Sequence, residues 1–287
     1  MHSLGLSRVA RSWRPDTKHP GWLLLALPSQ TAIKTPRGAG TLPKQTAAKH
    51  HRTFWRTLLI VALAGMAVLA AVGAAFIRAQ PPVTNAEALV ASELAAHHGV
   101  SSGFPAPEKV GQAVVAIEDR RFYWTPGFDP ISLFQVARSL VMGGPPGGGA
   151  TIPQQLAKVL YVREDPTVVQ KLQVVALALK LDFRYSKAEI LDMYLNAIYF
   201  GDGNWGIVQA SRGYFGKEPN ELDWAQASLL AGLPQAPSSY DPARYLELAK
   251  QRQRYVLAAL VRAGTITQAQ SDAAFAEPLH VLPPRRF

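Results

Sequence analysis

Two regimes of hydrophobic patterning divide this chain. From Leu58 to Ile77 twenty residues pass without a charge, enough to cross the roughly 30 Å of a bilayer's hydrocarbon as one helix. Beyond Pro81 and Pro82 the apolar positions become periodic. Val110, Ala113, Val114 and Ile117 fall at i, i+3, i+4 and i+7, a helix stripe that ends in Glu118 and Asp119. Asp129 and Pro130 pair a capping residue with a first-turn proline, and predict a helix that stops at Gly143 and Gly144. The run Pro145, Pro146, Gly147, Gly148, Gly149 cannot be regular structure, and Pro153 restarts a helix through Gln154, Gln155, Leu156 and Lys158.

Asp165 and Pro166 repeat the start signal. The helix to about Phe183 is apolar on nearly every side, which predicts the buried centre of the domain. Ser186 and Glu189 form a capping box for the next helix, and Gly201-Asp202-Gly203 closes that unit. Further helices are expected at 223–232, 243–263 and 268–275. Nothing alternates as a half-buried strand would, so the expected class is mainly α.

Charge modifies this picture at one end. Residues 1–56 carry ten Lys or Arg against the single acid Asp16, nearly all of the net +10 of the 287-residue chain. Such an excess suggests nucleic acid only when it lies on a folded face. Here it lies in a low-complexity tail, so no nucleic-acid partner is expected. Basic residues crowd the N-terminal side of the apolar run, and the positive-inside rule then places the tail in the cytoplasm and the rest outside. A cleaved signal peptide fits less well, because the run is long and Ile77-Arg78-Ala79 is a poor cleavage site. The Trp22-to-Leu27 run is too short to span and reads as part of a disordered tail. No cysteine is present, so disulfides and thiolate metal sites are excluded.

Few residues invite chemistry on local grounds. Glu118 ends an apolar helix face and is followed by Phe122, Tyr123 and Trp124, a setting partly withdrawn from water that suits a general base. It also reads as a surface Glu-Asp pair answered by Arg120 and Arg121. Lys171 lies in the first turns of an apolar helix, where the backbone dipole is already positive, and is either an anion ligand or a snorkelling lysine. Lys158 follows the glutamine pair behind the glycine loop, a position suited to phosphate.

In combination these stretches are specific. Glu118-Asp119-Arg120-Arg121-Phe122, with Gly127 and Asp129, resembles the first motif of the peptidoglycan glycosyltransferases, glycosyltransferase family 51. Gly149-Ala150-Thr151-Ile152-Pro153-Gln154-Gln155-Leu156-Ala157-Lys158 resembles the second. The stretch from Tyr185 to Asn196 with Tyr199-Phe200-Gly201, then Tyr214-Phe215-Gly216-Lys217, then Leu229 to Pro237 continue the resemblance in the family's order, over about 105–280.

This resemblance implies a lysozyme-like helical fold with a smaller, membrane-embedded lobe, behind one N-terminal transmembrane helix. The implied division is a basic cytoplasmic tail at 1–56, a transmembrane helix at 57–78, a linker and membrane-proximal segment at 79–104 and a glycosyltransferase domain at 105–287. The protein would be single-pass in the bacterial inner membrane, with its catalytic domain extracytoplasmic. Its partners would be lipid II, the growing glycan strand and other cell-wall synthesis proteins. By similarity Glu118 is the base, while Lys158 and Lys171 face the departing pyrophosphate. Thr151, Gln154 and Gln155 line the cleft, Asp119 supports base or substrate, and Phe122 belongs to the substrate site. No protein-held metal is implied, although a divalent cation, magnesium or manganese, can accompany the pyrophosphate.

The sequence departs from the family at five positions: Thr125 stands for histidine, Ala150 for serine, Val159 for asparagine, Gln170 for arginine and Val174 for the second catalytic glutamate. The last implies reduced turnover. Two readings follow: a monofunctional glycosyltransferase, since no Ser-x-x-Lys or Lys-Thr-Gly occurs, or an impaired relative that binds lipid-linked precursor or cell-wall synthases as a scaffold. Glycan cleavage by the lysozyme-like fold would leave the basic positions without purpose.

Overall fold

The computed structural model describes residues 45–130, 142, 149–162 and 167–285. The Trp22-to-Leu27 run, most of the basic tail, the helix expected between Pro130 and Gly144, the glycine-rich loop behind it and the Asp165-Pro166 start signal lie outside these residues. Helix α1, Gln45–Ala79, contains the stretch Phe54–Ala79, which is long and apolar enough to cross a membrane and exposes most of its side chains. Its 26 residues rise about 39 Å at helical pitch.

Helices make up the regular structure of the described part, apart from one isolated bridge between Tyr199 and Trp205. They form two packed groups. In one, α3 (Glu108–Glu118), α8 (Trp224–Gly232) and α9 (Leu246–Ala263) pack mutually, with α10 (Gln268–Ala276) against α9. In the other, α4 (Ile152–Ala157) packs on α5 (Val168–Arg184) and α6 (Lys187–Ala197), and α2 (Ala86–Ala96) lies on α6. Helix α7 (Gly206–Phe215) contacts α6 and α8, and so connects the two groups.

The α3 stripe is buried at Val110, Ala113 and Val114, as its periodicity predicts, and Ser186 caps α6 with Glu189 in a reciprocal box. Helix α5 differs from expectation. Leu177, Ala178 and Leu181 are buried, but Val169, Leu172 and Phe183 are 62%, 59% and 84% exposed, so this helix is not the centre of the domain. Its apolar side chains outnumber the faces that α4 and α6 cover. The centre is α8, where every residue from Ala225 to Gly232 is buried. Its small residues allow α3 and α9 to approach closely.

Residues 79–104, read from sequence as a linker and membrane-proximal segment, contain α2, whose Ala86, Val90 and Leu94 join the core. The chain leaving α1 is fastened to α5 as well: Lys180 Nζ donates to the carbonyls of Gln80 and Pro81, at 2.7 and 2.9 Å, and the Tyr185 hydroxyl donates to that of Val83 at 3.1 Å.

Candidate active site

The last turn of α3 meets the first turn of α4 through a buried carboxylate. Asp119 Oδ2 accepts the Ile152 backbone N–H at 3.1 Å, satisfying one of the amides that a helix start leaves unpaired. Burial pushes the Asp119 carboxyl up from the ordinary aspartate range, opposed by that N–H and by the charges of Lys187 and Arg121. Thr151 caps α4 in a box with Gln154, and its hydroxyl donates to the Gly127 carbonyl at 2.9 Å. Thr151→Val removes both ties. Its expected cost is about 1–2 kcal/mol, or a Tm lower by roughly 2–8 °C in a thermal melt, and an unchanged Tm would refute this role.

With the two helices locked, Glu118 points at α4 and α9. Its Oε2 accepts the Gln155 side-chain N–H at 3.0 Å and its Oε1 accepts Arg252 Nη2 at 3.3 Å, with 14% of the side chain exposed. Both partners are themselves oriented. The Tyr194 hydroxyl donates to Gln155 Oε1 at 2.8 Å, which turns the amide nitrogen towards the carboxylate. Burial foremost, then the nearby Glu118 charge, hold that hydroxyl well above the usual tyrosine range, so it remains a donor. Arg252 Nε donates to the Gly232 carbonyl at 3.3 Å. A Cβ at position 232 would lie 2.8 Å from Arg252 Cγ, so glycine there makes room for the arginine.

Helix α4 does not end at Ala157 but widens into a π-helical turn, Lys158–Val162, a distortion frequent at functional sites. Lys158 and Val159 line a cavity of about 520 Å³ together with Gln155, Tyr194, Tyr199, Trp205, Glu93, Pro234 and Pro237. A carboxylate held beside a lysine-bearing cavity can take a proton from a hydroxyl while the lysine stabilises negative charge on a leaving group. Among the described residues no three His, Asp or Glu side chains converge as a metal site would require.

Among the residues singled out from sequence, Gln155 and Lys158 line the cavity and Glu118 bonds to Gln155. Asp119, Thr151 and Phe122 stand behind the wall. Phe122 is fully buried, its ring 5.0 Å from Lys187 Nζ, so it belongs to the core rather than to a surface that ligand touches. Gln154 turns back to the α4 N-terminus, its Oε1 accepting the Thr151 N–H at 3.3 Å. Lys171 is exposed in the first turn of α5 and is not part of the cavity lining. Val174 is buried against the core.

Sequence reasoning passed over Arg252, Tyr194 and Glu93. Arg252 carried a signal: it lies on the face of α9 that buries Ala249, Gln253, Val256 and Leu260, where a charge needs a partner.

The transglycosylase family matches residues 90–261, from within α2 to the end of α9. A Cupriavidus necator protein whose name places it among the transglycosylases is 37% identical over 224 residues, covering 78% of this chain and 95% of that protein. Penicillin-binding protein 1A of Vibrio cholerae is 40% identical over 174 residues, 60% of this chain but 21% of its own length. Penicillin-binding protein 1F of Bacillus subtilis is 39% identical over 169 residues, and the chain spans 24% of it. Mainly helical, lysozyme-like in class and matched across both helix groups, the chain belongs to the transglycosylase family, the peptidoglycan glycosyltransferases that its five motifs resemble.

Proposed function

We propose that this protein polymerises lipid II into glycan strands at the outer face of the bacterial inner membrane. Glu118 takes the proton of the acceptor's 4-hydroxyl. That oxygen then bonds to the donor's anomeric carbon from the face opposite the leaving group, and the bond to polyprenyl pyrophosphate breaks with inversion. Lys158 stabilises the charge that gathers on the pyrophosphate, the largest electrostatic demand of the step, whereas Lys171, exposed at the start of α5 and outside the cavity wall, meets it only if the lipid-linked substrate extends along that helix. The reading is carried by one observation: the Glu118 carboxylate is held by Arg252 and by Gln155, a residue of the same cavity wall as Lys158.

Helix α1 anchors the chain with its N-terminus in the cytoplasm, the orientation its flanking charges favour. The exposed apolar side chains of α5, Val169, Leu172 and Phe183, rest in the same membrane, where their exposure carries no penalty. Val174 supplies no carboxylate from α5, so turnover is slow.

Purified full-length protein in detergent, given lipid-linked disaccharide pentapeptide, is expected to produce glycan polymer and free polyprenyl pyrophosphate. Binding of the lipid with no polymer would replace this reading by the second one, a precursor-binding scaffold, which the valine at 174 favours.

A further inference from the structure

Cavity walls report which part of a ligand they meet. Alongside Lys158, this one contains a carboxylate that would repel a pyrophosphate, Glu93 of α2. Its neighbours Tyr199, Ile198, Ala197 and Pro237 are apolar or aromatic. Apolar surface with a few fixed hydrogen-bonding groups suits a pyranose, whose C–H faces pack on rings while its hydroxyls donate to an acceptor-only carboxylate.

Glu93 is also held in place. Its side chain is 15% exposed, and its Oε1 lies 3.5 Å from Nε2 of His97, one turn further along α2. The His97 ring stacks on Trp205 at 3.9 Å and 5°. Trp205 in turn rests against Tyr199 at 4.9 Å. Gln209 fixes the end of α2, donating to the carbonyls of His97 and His98 at 3.0 and 2.9 Å while accepting the Trp205 N–H. This much order around one acid exceeds what a solvated helix face needs.

We propose that Glu93 binds sugar: its carboxylate, oriented by His97, accepts hydrogen bonds from hydroxyl or acetamido N–H groups of the lipid-linked disaccharide. The pyrophosphate then lies towards Lys158. This rests on the lipid-linked substrate proposed above but not on turnover. It places a carboxylate at the cavity from α2, where α5 supplies none: Val174 is buried against the core and Asp182 pairs with Lys187.

Binding to the full-length protein in detergent separates the possibilities when two probes are compared: lipid-linked disaccharide pentapeptide, and polyprenyl pyrophosphate without sugar. Glu93→Gln is expected to bind the first about 10-fold more weakly and the second as well as wild type or more tightly, because a repulsive charge has gone. His97→Phe keeps the stack on Trp205 but not the ring nitrogen, and is expected to weaken only the disaccharide probe, by about threefold. Unchanged affinity of Glu93→Gln for the disaccharide lipid overturns the inference. So does an equal loss for both probes, which marks a structural role. If wild type binds without polymerising while Glu93→Gln discriminates as expected, the proposed activity fails and the sugar site stands. If Glu93→Gln binds and polymerises as wild type does, the activity stands and the sugar site fails.

Discussion

Glu118→Gln is expected to lower polymer formation by about 10²–10⁴-fold, the usual contribution of a positioned general base, while the lipid-linked substrate still binds within about threefold. The substitution preserves shape but removes the proton acceptor. It also creates a donor conflict: the amide introduced at this position must direct its NH₂ at either the Gln155 nitrogen or Arg252, both donors to the carboxylate in the wild type. One bond is then lost, for about 1 kcal/mol of stability. A melt alongside the polymer assay distinguishes loss of chemistry from loss of fold. Polymer formation near the wild-type rate in a folded Glu118→Gln protein would remove Glu118 from the reaction.

The largest effect on stability is expected from Gly201→Ala. Gly201 has φ of +90°, outside the range side-chain-bearing residues readily adopt. A Cβ there would lie 2.7 Å from the Pro237 carbonyl oxygen and 2.8 Å from the Tyr214 hydroxyl. Neither neighbour can yield cheaply. Pro237 O is backbone, and the buried Tyr214 hydroxyl donates to the Phe200 carbonyl at 3.0 Å. Strain and overpacking together cost about 3 kcal/mol or more, which lowers Tm by roughly 6–12 °C. Pro237, Tyr199 and Trp205 all line the cavity, so substrate affinity should fall with stability. An unchanged melt would mean that this turn relaxes without cost.

These two positions differ in how far they could be read without coordinates. Local rules suffice where a signal and its partner lie within one turn. The α3 stripe and the Ser186-Glu189 cap are of this kind, and each forms where its spacing places it. Burial of α5 required knowing what covers it, and apolar residues on every side predict a buried helix whether the cover is protein or lipid. Arg252 lies 134 residues from Glu118, and no periodicity in either helix links the two. Glu93 was hidden for another reason. The segment after the two prolines reads as linker, and the end of α2 has meaning only once Trp205 and Gln209, at the start of α7, meet His97.

Glu118 and Arg252 pair across 134 positions of sequence, and the stretch between them contains most of the family's signature residues. Arg252 comes from α9, close to the end of the matched region. An amino-terminal portion made without α9 would therefore lack the guanidinium that holds Glu118. On the reading proposed above, such a fragment would have its general base unaligned.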